Sequence, residues 1–417
     1  MDVRGRLLHN PGPLNGTRIA QVSLPLLKLK AREERRIRAG HAWVFSNEVD
    51  VEATPMATFE AGEPVNVVDH QGQALGTAYV NPASLICARM VSRRPGRALD
   101  GAVVRRRLRA AIELRERMGF EGCYRAVYGE SDGLPGLVVY RHRDVLVVQV
   151  ATEGMQRLQA QVLEALLDLL SPRALLLRND SSGRRLEGLA EEVHWAYGSP
   201  DGEVEIVDNG VRFQIDPQAG QKTGWYYDHR MNRARLASYA RDARVLDLFS
   251  YLGGFGVQAA VAGAREVVCV DSSRSALEGV LRNARANGVE ARVGTERGDV
   301  FEVLKNMAAA GERFDVVVAD PPAFARRKRD LKAASEAYQR LHRMAMRVMG
   351  EQGILLAASC SSHVDRRTFG DCIRRGARGA ARQLLELEVG RQGPDHPVHL
   401  AMPETDYLKS SLLLVRG

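Results

Sequence analysis

From about residue 206 onward the chain alternates short apolar runs with helical stretches, a pattern that restricts this half to a mostly parallel sheet with crossover helices. The runs are Val245 to Phe249, Glu266 to Asp271, Ala291 to Val293, Phe314 to Asp320 and Gly353 to Ser359. In a doubly wound α/β sheet, ligands bind beyond the carboxyl ends of the strands. The unusual residues of this half gather there. The first run leads into Asp247-Leu-Phe-Ser250-Tyr-Leu-Gly253-Gly254-Phe-Gly256, a glycine-rich turn that admits a ligand to the backbone and opens a helix. Asp271 ends the second run, placed to accept from ribose hydroxyls, and Asp299 follows the third, placed to face an adenine amino group. Each acid alone is also the pattern of a helix N-cap. Together they point to a nucleoside cofactor.

The rest divides into a flexible N-terminal tail (1–22), a small β barrel (23–98) and a central α/β unit (99–205), ahead of the sheet half (206–417). The barrel is read from runs such as Val65 to Val68 and Ala74 to Val80, separated by His70-Gln71-Gly72. In the central unit, a hairpin turns at His142 to Asp144, and Met155, Leu158, Val162, Leu166 and Leu169 line one amphipathic helix.

Neither of the longest charge-free stretches, His70 to Ala88 and Leu248 to Ala264, is apolar enough for a membrane span, and no signal peptide opens the chain, so a cytoplasmic protein is expected. Five scattered cysteines make neither a disulfide framework nor a zinc site, and no metal is expected. The net charge is +8, and only seven of the 59 basic residues are lysine. Arginine forks suit phosphate. They cluster at Arg93, Arg94, Arg97, Arg105, Arg106, Arg107, Arg109, Arg115 and Arg117, and again at Arg326, Arg327, Lys328 and Arg329, so nucleic acid is the expected partner, with Arg93, Arg105, Arg106 and Arg107 as phosphate contacts. A solvated helix face would carry the same pattern.

Gly254-x-Gly256-x-x-Ala259 also satisfies the dinucleotide fingerprint. Against NAD, three residues separate the strand from the first glycine, and nothing downstream resembles a hydride site. The fourth run instead ends in Asp320-Pro321-Pro322-Ala323-Phe324 and the fifth in Ser359-Cys360-Ser361. Of the five thiols, Cys360 is the one at a strand end in this half; Cys269 lies within a strand, Cys372 on a later helix, and Cys87 and Cys123 outside the sheet half.

In these motifs the sequence resembles the S-adenosylmethionine-dependent methyltransferases, and specifically the RlmI-like rRNA large-subunit family. The likeness extends from about residue 25, through Arg36 to Ser46, Gly129 to Leu137, Arg178 to Asp180, Gln221 to Arg233, Asp395 to Pro397 and Tyr407 to Lys409. His229 departs from it, where Gln is common, as does Trp225-Tyr226, where Phe is frequent. The resemblance implies a PUA-like RNA-binding domain, a Rossmann-like class I methyltransferase domain, S-adenosylmethionine as cofactor and methylation of cytosine C5 in 23S rRNA, on free rRNA or an assembly intermediate, with a homodimer left open. Cytosine C5 is a poor nucleophile until a thiolate adds at C6. Cys360 is the candidate nucleophile, with Asp320 at the base edge; Asp320 also reads as the cap of the proline turn. Pro321 and Phe324 are candidate base contacts, Phe324 equally a core plug. Tyr226, Asp228 and Arg230 are candidates to fold over the cofactor beside Asp247, Ser250, Gly253, Asp271, Asp299 and Asp320. Methylation of a guanine nitrogen, which needs no thiol, and a non-enzymatic RNA-binding factor are the alternatives.

Overall fold

The computed structural model describes residues 24–200, 202–325 and 327–417; the tail expected over 1–22, and Arg326 of the second basic run, lie outside the described residues. At the N-terminus a five-stranded sheet runs in the order Leu26–Lys28, Glu63–Val68, Ala74–Val80, Ala88–Ser92, Trp43–Val44. Its expected turn forms because Asp69 accepts from the Gln71 and Gln73 amides, and Gly72 takes the left-handed backbone at φ +83°.

A second five-stranded sheet, ordered Glu192–Tyr197, Ala174–Asn179, Val145–Val150, Leu137–His142, Cys123–Tyr128, forms the central unit. Against it packs the arginine-rich helix Gly101–Arg117, capped by Asp100 and anchored by Val104, Leu108, Ala111 and Ile112. The single amphipathic helix expected from Met155 is two, Glu153–Gln156 and Gln159–Leu170. The first turn docks on the N-terminal sheet, Gly154 lying flat against the Tyr79 ring, while the second packs on Gly101–Arg117.

The C-terminal sheet has seven strands: β1 Arg244–Leu248, β2 Glu266–Asp271, β3 Val293–Arg297, β4 Phe314–Ala319, β5 Met349–Ser359, β6 Gln383–Gly390 and β7 Lys409–Arg416. They lie in the order β3-β2-β1-β4-β5-β7-β6, all parallel except β7, which runs antiparallel to both neighbours. The chain reverses its direction of strand addition between β1 and β4, the crevice where such sheets hold ligands. Helices cover both faces: α1 Gly254–Val261 and α2 Arg274–Ala286 on one, α3 Val300–Ala309, α4 Leu331–Arg347 and α5 Arg366–Gly379 on the other. Burial on both sides is why the inner strands read as continuous Val/Leu runs.

Several expected bounds change, Asp320 falling just past β4 and β3 extending to Arg297. Ala291 belongs to a 3₁₀ turn, Glu290–Arg292, and β3 starts at Val293. Phe249 leaves β1 with φ +61° to start the glycine loop, and β5 begins four residues early, at Met349. The hairpin Val204–Asp208 and Val211–Ile215 straddles the expected 205/206 boundary, and its inner residues share one apolar cluster with both the central and the C-terminal sheets. Among the described residues no helix is long and apolar enough to cross a membrane.

Candidate active site

At the carboxyl edge of β1, β4 and β5 lies a cavity of about 310 Å³ whose lining includes Ser250, Tyr251, Gly254, Asp320, Pro321, Pro322 and Cys360. A larger surface groove, about 1130 Å³ and lined in part by Arg141, Arg143, Arg173 and Glu205, touches none of these strand ends.

The glycine loop is bent by positive φ at Phe249, Tyr251 and Gly253, the last opening α1. Asp247, expected at the cofactor, lies beneath this loop instead. Its carboxyl is buried off the cavity and accepts from the Gly256 N–H at 2.8 Å, so it anchors α1 to β1. Gly253 likewise shapes the loop rather than lining the cavity. Asp271 holds the other flank: its oxygens accept from the Tyr251 and Ser273 amides, both at 2.9 Å, leaving further lone pairs on a half-buried carboxylate. Asp299 is exposed and caps α3 through one oxygen, which accepts from the Phe301 and Glu302 amides.

Asp320 follows β4 with its side chain 24% exposed, and His229 Nε2 stands 3.2 Å from its Oδ2. Pro321 and Pro322 line the cavity beside it. Phe324 does not. Its partly buried ring packs on Tyr338 at 4.8 Å, against the core. Cys360, the first residue past β5, is half-buried, whereas the other four cysteines are buried. Burial pushes its thiol up; Lys222 opposes this, and Asp320 and Asp228 add to it.

The segment from Gln221 to Arg233 forms the remaining wall. Tyr226 donates to Gln221 Oε1, stands edge-on to Tyr251, and carries the Lys222 ammonium over its ring at 4.2 Å. Burial would raise the Asp228 carboxyl, but Lys222, His229 and His396, with the Tyr407 hydroxyl donating at 2.5 Å, hold it well below the usual carboxylate range. Its Oδ1 is buried with no partner, a charged acceptor waiting for a donor. Arg230 is not at the cavity: it pairs with Asp208, as does Arg233. Burial would raise the Asp208 carboxyl too, and the two guanidiniums keep it below its ordinary value. Lys222, Tyr251 and His229 also line the cavity; motif reading did not name the first two as contacts, because the fold of the wall, not local spacing, brings them to the strand ends.

Part of the first arginine cluster is engaged within the fold. Arg93 donates to the Ile37 and His41 carbonyls, Arg107 to those of Gly133 and Val91, and Arg105 pairs with Asp168. Arg115 is fully buried against Asp132. Arg93, Arg94, Arg97, Arg106, Arg109 and Arg117 are exposed.

Residues 161–385 match the S-adenosylmethionine-dependent methyltransferase family, and 27–93 match a PUA-like domain. Ribosomal RNA large subunit methyltransferase I of Tolumonas auensis is 38% identical over 395 residues, covering 93% of this chain and 98% of that protein. The protein of the same name from Klebsiella pneumoniae is 36% identical over 391 residues, covering 92% and 97%. Among solved structures, a methyltransferase complexed with SAH, SMU.776, superimposes with a TM-score of 0.81 at 20% identity, over 94% of this chain and all of that one. A SAM-dependent methyltransferase from Streptococcus mutans gives 0.80 at 19%, with the same coverage. The last two share the fold. At this level of identity and coverage to its named relatives, the chain belongs to the ribosomal RNA large subunit methyltransferase I family of S-adenosylmethionine-dependent methyltransferases.

Proposed function

We propose that this enzyme methylates C5 of a cytosine in 23S rRNA, in free or assembling large-subunit RNA, through a covalent adduct on Cys360. The observation that carries the reading is the meeting, in one cavity, of the half-buried Cys360 thiol and Asp320 with the glycine loop.

The residues present fit S-adenosylmethionine. Asp271 has acceptor capacity to spare for ribose hydroxyls, and Asp299 has a second oxygen for the adenine amino group. The unpartnered Asp228 Oδ1 and the loop around Ser250 and Gly254 suit the methionine end with its ammonium, under the Tyr226 wall. When bound, the cofactor supplies an electrophilic methyl on a sulfonium. Cys360 adds through sulfur to C6 of the base, making C5 nucleophilic; after methylation, loss of the C5 proton lets the sulfur leave. Asp320 accepts from the cytosine amino group or shares a proton with N3 as the thiolate adds, and Pro321 fixes the loop that carries it. The base leaves its stack to enter. The exposed arginines of the first cluster, Arg106 and Arg109 on one helix among them, are free to meet phosphate.

RNA bearing 5-fluorocytosine tests this, because fluorine at C5 cannot leave as a proton. The wild type should be trapped in an adduct that survives denaturing electrophoresis and maps to the peptide with Ser359-Cys360-Ser361, while Cys360→Ala binds RNA and cofactor yet loses methylation. Full activity of Cys360→Ala, or methylguanine as product, would sink the thiolate mechanism.

A further inference from the structure

The peptide that carries Cys360 is gripped from both sides by groups absent from the cavity wall. Ser359, the last residue of β5, pairs in register with Lys409, the first of β7. Beyond Cys360, the Lys409 ammonium donates to the Ser361 carbonyl at 2.6 Å and to the Tyr407 carbonyl at 2.8 Å. The Tyr338 hydroxyl stands 2.8 Å from Ser359 Oγ and 3.2 Å from Ser361 Oγ, and Ser361 Oγ accepts from the Ala325 amide, so the Cys360 peptide is also tied to the loop that carries Asp320. Of these groups only Lys409 is charged. It is 7% exposed, and its two acceptors are neutral carbonyls. Carbonyls would be held as well by an amide or hydroxyl donor at far lower desolvation cost.

We infer that Lys409 is a positioning residue for Cys360: it fixes the nucleophile's peptide and supplies, from behind the cavity, the buried positive charge that favours the thiolate. The inference rests on Cys360 being the nucleophile. Burial lowers the ammonium to about 8, with Cys360, Asp406 and Asp365 raising it and Arg366 lowering it, so the cation persists at neutral pH. On the cavity side the ionisable groups around the thiol are Lys222, Asp320, Asp228 and Tyr226. Two of these are carboxylates that oppose thiolate formation, and Lys222, exposed over Tyr226, is the cation that favours it most from the cavity side. Lys409 adds a second positive charge on the opposite side of the peptide, shielded from the solvent that screens Lys222.

The test measures the rate of iodoacetamide capture of Cys360 against pH, read by mass spectrometry of its peptide; the other four thiols are buried. Lys409→Met should raise the midpoint by roughly one to two pH units and lower kcat with KM for RNA unchanged. Lys409→Arg, which keeps the charge, should restore the midpoint. Tyr338→Phe removes a tether without changing charge, and should lower kcat with the midpoint in place. Binding of S-adenosylhomocysteine with wild-type affinity certifies the fold of each variant. An unmoved midpoint in folded Lys409→Met, or an equal shift in Tyr338→Phe, would overturn the assignment. Methylation by Cys360→Ala would instead overturn the nucleophile, an outcome the alkylation midpoints do not depend on.

Discussion

The Asp247 carboxyl is 1% exposed, and burial raises it to about 7; the Gly256 amide opposes the rise, while Asp320 and Asp271 add to it. Because the folded value exceeds the unfolded one, the folded chain binds the extra proton between about pH 4 and 7. The stability this contributes is complete below the unfolded value and is lost as pH rises through 7. Asp247→Asn removes the ionisation and keeps an oxygen for Gly256. Between pH 5 and 8 the wild type should therefore lose about 2 to 3 kcal/mol relative to Asp247→Asn, measured by urea denaturation at a series of pH values. Equal pH dependence of the two proteins would show that the carboxyl is already ionised at pH 5. Strand-end position made Asp247 legible as important, but whether a strand-end acid faces the ligand or the helix above it depends on packing depth, which one sequence does not carry.

At the scale of elements, the glycines after β1 act through space as much as through φ. A Cβ on Gly256 would lie 2.5 Å from Cys269 Sγ on β2 and 3.1 Å from Asp247 Oδ2, so α1 can approach the sheet only with hydrogen at that position. Gly256→Ala should cost about 1 to 3 kcal/mol by overpacking, seen as a lower melting temperature, and should weaken S-adenosylhomocysteine binding by lifting the loop at the helix start. Unchanged melting and affinity would mean that Cys269 yields without moving α1. The strands were legible because burial on both faces writes an uninterrupted apolar run, as in Glu266–Asp271, whose bounds agree to the residue. β6 and β7 were not singled out: in β6, Leu385, Leu387 and Val389 alternate with polar residues on an exposed edge strand, while β7, a buried apolar run, lies beyond the alternating strand–helix pattern. The wall from Gln221 to Arg233 carried family motifs but no period, since its shape comes from contacts such as Tyr251 to Gln221 and Arg233 to Asp208 across the fold.

For the whole molecule, the central and C-terminal sheets share one apolar cluster, and a polar chain runs through the same junction to the active site. Arg115 donates to both oxygens of Asp132, at 2.6 and 2.8 Å, and to the Asp395 carbonyl; Asp395 pairs with His396 at 2.9 Å, and His396 is among the groups that act on Asp228 in the cavity. Composition placed Arg115 in a phosphate-binding patch, because a run of arginines does not say which one points inward. Removing it strands the Asp132 carboxylate, 5% exposed, without its partner. Arg115→Met should cost about 3 to 5 kcal/mol, the scale of a broken buried ion pair, and calorimetry should show the single unfolding transition of the coupled halves replaced by a lower or split one. Arg106→Gln and Arg109→Gln, on the exposed face of the same helix, should leave the thermogram in place while flattening the salt dependence of RNA binding. A wild-type thermogram from Arg115→Met would mean that the shared apolar cluster alone couples the two halves and that the polar chain to Asp228 is mechanically idle.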